Sequence, residues 1–137
     1  MHRVEDAASL FGKGFNCTQS VLTAYGTELG LNKEIALKIA SAFGGGMGLM
    51  GETCGAVTGA FMVIGLKHGA TEPHREAEMK TYKLVEKFVN KFKSRNNSIL
   101  CKELLGFDIA SPTARKIAKK KCPKYVRDAV EIIKQIL

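Results

Sequence analysis

Tryptophan is absent from this chain, and aromatic residues make up only 7% of it. A surface that stacks nucleobases needs more of them, so the composition speaks against a nucleic-acid partner. Long hydrophobic runs are missing too. The most apolar stretch, Cys54 to Leu66, is too short to span a bilayer, and Glu52 blocks its extension. The opening MHRVEDAASLF is polar, is broken by Glu5 and Asp6, and has no apolar core of secretory-signal length. These absences lead to the expectation of a soluble, cytoplasmic protein with no transmembrane segment. Acidic residues are the scarcer charge, 13 against 21 basic ones, giving a net charge of +8 and a pI near 9.4. The excess is mostly lysine spread along helices, as with Lys80, Lys83, Lys87 and Lys91, and reads as a solvated face that aids solubility.

The four cysteines, at 17, 54, 101 and 122, lack the CxxC spacing of zinc knuckles and thioredoxin-like sites. A reducing compartment also excludes permanent disulfides in a mesophile. Reactive thiols, metal ligands and plain core residues remain as readings. The 137 residues, with 45% apolar and 25% charged, fit one domain over 1–137 that buries its own core.

Glycine, by contrast, is plentiful. Residues 43 to 61 read FGGGMGLMGETCGAVTGAF, with Cys54 near the centre. Such a run weakens a fold unless the backbone must approach something closely. The surrounding pattern predicts an all-α helical bundle of about five to seven helices, with a glycine-rich loop before a buried central helix. Val4, Ala7, Ala8 and Phe11 form a first apolar face, closed by Gly12-Lys13-Gly14. Asn16 caps a helix carrying Val21, Leu22, Tyr25 and Leu29, and Gly30 stops it. Asn32 opens a third helix whose apolar side is Ile35, Ile39 and Phe43, before the loop Gly44 to Gly51.

Thr53 is the expected cap of the central helix, which ends at His68-Gly69. Beyond Pro73, Met79, Tyr82, Val85, Phe88, Val89 and Phe92 recur at helical spacing. Ser98 opens a short helix ending at Leu105-Gly106. Asp108 to Lys121 reads as an irregular or partly helical connector, and the last helix is expected to begin at Cys122-Pro123, with Cys122 as its cap.

On this map all four cysteines fall at or within a turn of a helix start, where free backbone N–H groups and the macrodipole favour a thiolate. Lys119, Lys120, Lys121 and Lys124 around Cys122 would add to the effect. Cys54, flanked by Gly51, Gly55 and Gly59, is the expected attacking thiol. Gly51, Gly55, Ala56 and Gly59 are read as a backbone surface open to a ligand or to another helix. The stripe Gly55/Gly59 and Ala56/Ala60 would let a neighbouring helix bring a second cysteine close.

Other patterns carry less. Gly46-Met-Gly48-Leu-Met-Gly51 matches GxGxxG, but the residues before it, IALKIASAF, read as helix and no βαβ unit follows. Met47, Met50 and Met62 read as packing residues. His68 reads as a dipole partner at a helix end, and His74, between Glu72 and Glu76, as solvated.

Four blocks in order, FNCTQSVL, GETCGAVTGA, CKELLGFD and CPKYVRDAVEII, resemble the C_GCAxxG_C_C family, grouped as redox-active and named for its four cysteines and central Cys-Gly-Ala motif. The resemblance covers residues 9 to 137, although the family name spells GCAxxG where this chain reads CGAVTG. It matches Cys17, then Cys54 with Gly55, Ala56 and Gly59, then Cys101 and Cys122, and it implies a small, helical, redox-active protein.

Three functions compete. Thiol–disulfide exchange, as in an oxidoreductase acting on a partner protein or a small thiol, would use two cysteines from different helices. Four thiolates from Cys17, Cys54, Cys101 and Cys122 would instead suit zinc or an iron–sulfur cluster. A non-enzymatic interaction module would use the basic surface alone.

Overall fold

The computed structural model describes residues 2–137, with seven α-helices and no strand among them. Met1, the first residue of the expected domain, lies outside the described residues. The helices are α1 (His2–Gly12), α2 (Cys17–Gly26), α3 (Lys33–Ala40), α4 (Gly55–His68), α5 (Arg75–Asn96), α6 (Cys101–Leu105) and α7 (Pro112–Ile136). The all-α bundle expected from the apolar periodicity is therefore what forms. No helix is long and apolar enough to cross a membrane among the described residues.

Helix α4 is the buried centre, and it packs most extensively on α2. Two glycines make that approach close. A Cβ on Gly55 would lie 2.6 Å from Thr18 Oγ1, and one on Gly59 would lie 3.0 Å from Val21 Cβ. The small-residue stripe thus receives α2, the helix that begins with Cys17. Helix α7 packs across α1, α2, α4 and α5. An aromatic chain ties the layers together: Phe61 meets Phe88 edge-on at 6.1 Å, Phe88 stacks on Phe92 at 5.9 Å, and Phe92 meets Tyr125 at 6.2 Å. Such contacts add roughly 0.5–1.5 kcal/mol each beyond area burial.

Caps decide where several helices start. Asn16 and Gln19 form a reciprocal capping box at α2, with Gln19 N donating to Asn16 Oδ1 and Asn16 N to Gln19 Oε1. Asn32 caps α3 as expected. His74 is not merely solvated, because its Nδ1 accepts from Ala77 N and caps α5.

Four expectations are corrected. Helix α7 starts at Pro112, capped by Ser111 Oγ, so Asp108 to Lys121 is mostly helix and Cys122 lies in the middle of α7. Ser111-Pro112 supplies an N-cap hydroxyl before a first-turn proline, and the burial of Ala114, Cys122 and Val126 along one helix selects this start over Cys122-Pro123. Thr53 does not cap α4; it forms an isolated antiparallel bridge with Leu100, and Cys54 occupies the cap position. Helix α3 buries Ala36 and Ala40, leaving Ile35 and Ile39 50% and 53% exposed. Met79 and Tyr82 are likewise exposed on α5, whose buried side is Phe88 and Phe92.

Helices α5 and α7 are joined near one end by a charged cluster. Asp128 accepts from Arg95 Nη1 at 3.0 Å, from Lys124 Nζ at 2.7 Å and from Asn96 Nδ2 at 3.2 Å. Burial alone would raise the Asp128 carboxyl, but these donors outweigh it and hold the group below the usual carboxylate range. A depressed native pKa contributes stability above the unfolded value near 4, and that stability is lost as pH falls through the native value. Asp128→Ala is expected to cost about 1–2 kcal/mol at pH 7, by removing the shared acceptor of Arg95, Lys124 and Asn96, while Arg95 keeps Glu131 and Lys124 keeps Asn96 Oδ1. Urea unfolding at pH 7 and in acid checks this: the gap between variant and wild type should shrink as the wild-type carboxyl protonates.

Candidate functional site

The glycine loop does not run as an ordinary turn. Gly45, Gly46, Met47, Gly48 and Leu49 all have positive φ, forming a short left-handed turn. The N–H groups of Gly48 and Leu49 both donate to the Gly44 carbonyl, while Gly51 N donates to Gly45 O and Glu52 N to Gly46 O. L-residues resist this conformation, which explains the glycine density but leaves Met47 and Leu49 strained. Its start is pressed against α2, where a Cβ on Gly44 would lie 2.6 Å from Asn16 Nδ2. Asn16 Nδ2 also donates to the Ser41 carbonyl, so one side chain holds both α2 and the entry to the loop.

The exit of the loop is stapled to the start of α6. Around the Thr53–Leu100 bridge, Cys54 N donates to Ile99 O at 2.7 Å, Cys101 N to Glu52 O at 2.6 Å, and Lys102 N to Gly51 O at 3.1 Å. In this short antiparallel ladder Thr53 and Leu100 point to one side, and Cys54 and Cys101 to the other as diagonal neighbours. Two cysteines 47 positions apart are thus set side by side by backbone hydrogen bonds, at the first turns of α4 and α6.

All four cysteines line one cavity of about 550 Å³. Cys17 comes from the first residue of α2, Cys54 and Cys101 from the stapled ladder, and Cys122 from the middle of α7. The left-handed glycine turn forms part of the wall, and so do Leu104, Ile109 and Tyr125. Tyr125 donates its hydroxyl to the Leu104 carbonyl at 3.1 Å, joining α7 to α6 beneath the thiols. Of the expected backbone surface, Gly55 lines the cavity, whereas Gly51, Ala56 and Gly59 lie outside its walls. Their visible role is helix approach and loop geometry.

All four thiols are free. Cys54, Cys101 and Cys122 are buried, and Cys17 is half-buried. Cys17 and Cys122 share the cavity wall, and their thiols interact. Interaction with the Cys17 thiol lowers the Cys122 pKa against the opposing effect of burial. The same contact, with burial and the charge of the other sulfurs, raises Cys17 well above the ordinary thiol value. Burial pushes Cys54 up to about 12, although the Ala56 and Val57 amides pull the other way. Burial and then Cys122 push Cys101 up to about 11.

Burial therefore works against thiolate formation at Cys54, the expected attacking thiol, whereas Cys122 is shifted downward. Cys54 does have the helix-start amides, but desolvation costs its thiolate more than two N–H groups return. Cys122 has no helix start at all. A partner thiol makes it the most readily ionised of the four.

The lysines contribute less than their spacing implied. Lys124 is bound to Asp128 and Asn96, and Lys121 reaches the Leu104 carbonyl. Only Lys119 of the four lines the cavity, together with Arg115, which sequence reading passed over. Arg115, Ala118, Lys119 and Cys122 follow the i, i+3, i+4, i+7 rule of one helix face, a signal that appears only once α7 is begun at Pro112. Pro123 also lacks the N–H that would have bound the Lys119 carbonyl inside the helix.

No three His, Cys, Asp or Glu side chains converge closely enough to hold a metal ion among the described residues. In this arrangement Cys17, Cys54, Cys101 and Cys122 share a cavity wall without forming a preassembled ligand set for zinc or an iron–sulfur cluster.

No curated protein and no solved structure matches the chain. A family model does match, over residues 15–136, under the description "Putative redox-active protein (C_GCAxxG_C_C)". That span holds all four cysteines, the glycine turn and every wall of the cavity except Phe11 and Gly14. The chain belongs to the C_GCAxxG_C_C family.

Proposed function

We infer that the protein performs thiol–disulfide exchange through Cys17 and Cys122, with Cys122 as the attacking thiolate and Cys17 as the resolving thiol. The observation that carries this reading is the shared cavity: thiols from four separate segments line one space, and within it the Cys17 and Cys122 thiols interact. An attacking sulfur needs thiolate character, a resolving sulfur within reach and access for the other disulfide. The pair and the cavity supply these. Cys54 and Cys101 form a second, less acidic pair in the same wall and serve as a reserve of two further electrons.

Such chemistry suits a reducing compartment, where the thiols are regenerated, and we place the protein in the cytoplasm on that ground. Thiol-blocking mass spectrometry before and after a mild oxidant tests the assignment. The peptides containing Cys17 and Cys122 should lose their label first and together, with a loss of two hydrogens from the intact mass. Four thiols labelled equally under both conditions would overturn it.

A further inference from the structure

Cys54 is 3% exposed and Cys101 and Cys122 are each 7% exposed, yet all three line an open cavity. A disulfide on the surface of a folded protein cannot press down to sulfurs set this deep. A small molecule that enters the cavity can, and about 550 Å³ lies in the usual range for a small-molecule site. The charge around the cavity is one-sided. Arg115 and Lys119 are its only charged lining residues apart from the thiols, and no carboxylate lines it. Neither makes an ion pair or a side-chain hydrogen bond to another residue among the described residues.

The two cations stand three and seven residues before Cys122 on one face of α7. At 1.5 Å per residue they lie about 5 and 10 Å from it along the axis. That spacing suits carboxylates carried a few bonds from a sulfur.

We propose that the substrate is a low-molecular-weight disulfide bearing carboxylates, drawn in and oriented by Arg115 and Lys119 so that its sulfurs meet Cys122. This rests on the thiol–disulfide reading above. The Cys122 thiolate attacks one substrate sulfur, forming a mixed disulfide and releasing the first thiolate. Cys17, giving up its proton, attacks the Cys122 sulfur, closing the Cys17–Cys122 disulfide and releasing the second. The leaving thiolates take up the Cys17 proton and one from water. The substrate gains two electrons as two thiols, and the protein dithiol is oxidised.

Oxidation of the reduced full-length protein by three matched disulfides tests this: anionic dithiodipropionate, neutral bis-hydroxyethyl disulfide and cationic cystamine. Each rate is divided by that of the same disulfide with free mercaptoethanol. At low salt the normalised rate should be about tenfold higher for the anionic disulfide than for the neutral one, and lowest for cystamine. The double variant Arg115→Gln/Lys119→Gln should abolish the preference, so that on the variant the normalised rates of the anionic and neutral disulfides become equal. Lys83→Gln/Lys87→Gln, with the same charge loss on α5, should keep the preference.

Equal normalised rates for all three disulfides would overturn the proposal while leaving thiol–disulfide exchange standing. So would an equal loss of preference in the α5 variant, which would trace it to net charge. If no disulfide, including the neutral one, oxidised the protein, thiol–disulfide exchange itself would fall, and this proposal with it.

Discussion

Cys122→Ser is expected to abolish the fast oxidant-induced loss of two hydrogens that belongs to the Cys17–Cys122 pair and to slow alkylation of the native protein at pH 7 by about tenfold. An ordinary thiol is roughly 3% thiolate at neutral pH. Cys54 and Cys101, pushed up to about 12 and about 11, hold orders of magnitude less. The greater intrinsic nucleophilicity of a more basic thiolate recovers only part of that deficit. Cys122 is the one thiol whose pKa moves down, so the rapid phase belongs to it. The sign can be read from the pH profile. In wild type the fast phase should rise through a midpoint below the usual thiol value, and in Cys122→Ser that low midpoint should vanish, leaving a slower reaction that rises only at or above the ordinary thiol value.

Cys17→Ser separates the roles. It removes a resolving thiol and leaves an attacking one, so a mixed disulfide on Cys122 should accumulate in place of the internal bond. Cys122→Ser should accumulate none. If instead Cys54→Ser removed the fast phase, the attacking role would return to the residue first expected from the glycine-rich sequence.

The contrast between Cys54 and Cys122 shows which physical terms can be read from sequence and which cannot. A helix start is a local feature: Asn16, Thr53 and Ser98 mark three of them to within two residues. The bundle follows from apolar periodicity, and the approach of α2 to α4 follows from Gly55 and Gly59. Desolvation is not local. The depth of Cys54 depends on how α2, α6 and α7 close over it, and no spacing along the chain encodes that depth.

Helix α7 illustrates a different limit. Ser111-Pro112 and Cys122-Pro123 are both residue–proline boundaries at which a helix can begin, and local chemistry ranks them only weakly. Tertiary packing decides, because Ala114, Cys122 and Val126 are all buried on one continuous helix. With that start the Arg115–Lys119–Cys122 stripe emerges, and with it the only charged part of the cavity. The misjudged face of α3 has the same origin. Ile35 and Ile39 are the stronger hydrophobes, but the close neighbour α2 admits only Ala36 and Ala40.

Gly46→Ala is expected to destabilise the fold by about 3 kcal/mol and to disturb the thiol pair beneath it. Two costs add. The residue has a φ of 67°, where an L side chain is unfavourable by about 1 kcal/mol. Its Cβ would also lie 2.6 Å from Cys101 Cβ and 2.7 Å from Glu52 N, and overpacking of this kind typically costs about 1–3 kcal/mol. Neither neighbour can yield cheaply, since Glu52 O accepts from Cys101 N in the ladder that holds Cys54 beside Cys101. Gly48→Ala is the matched control. Gly48 has a φ of 61°, but its nearest neighbour to an added Cβ is Ala42 O at 3.6 Å, so only the conformational cost of about 1 kcal/mol applies. Urea unfolding should therefore show a gap of about 2 kcal/mol between two alanines placed in the same backbone conformation. Equal losses would mean that the glycines serve the left-handed turn alone. The expected gap would mean that they also clear the space in which Cys101 meets the rest of the site.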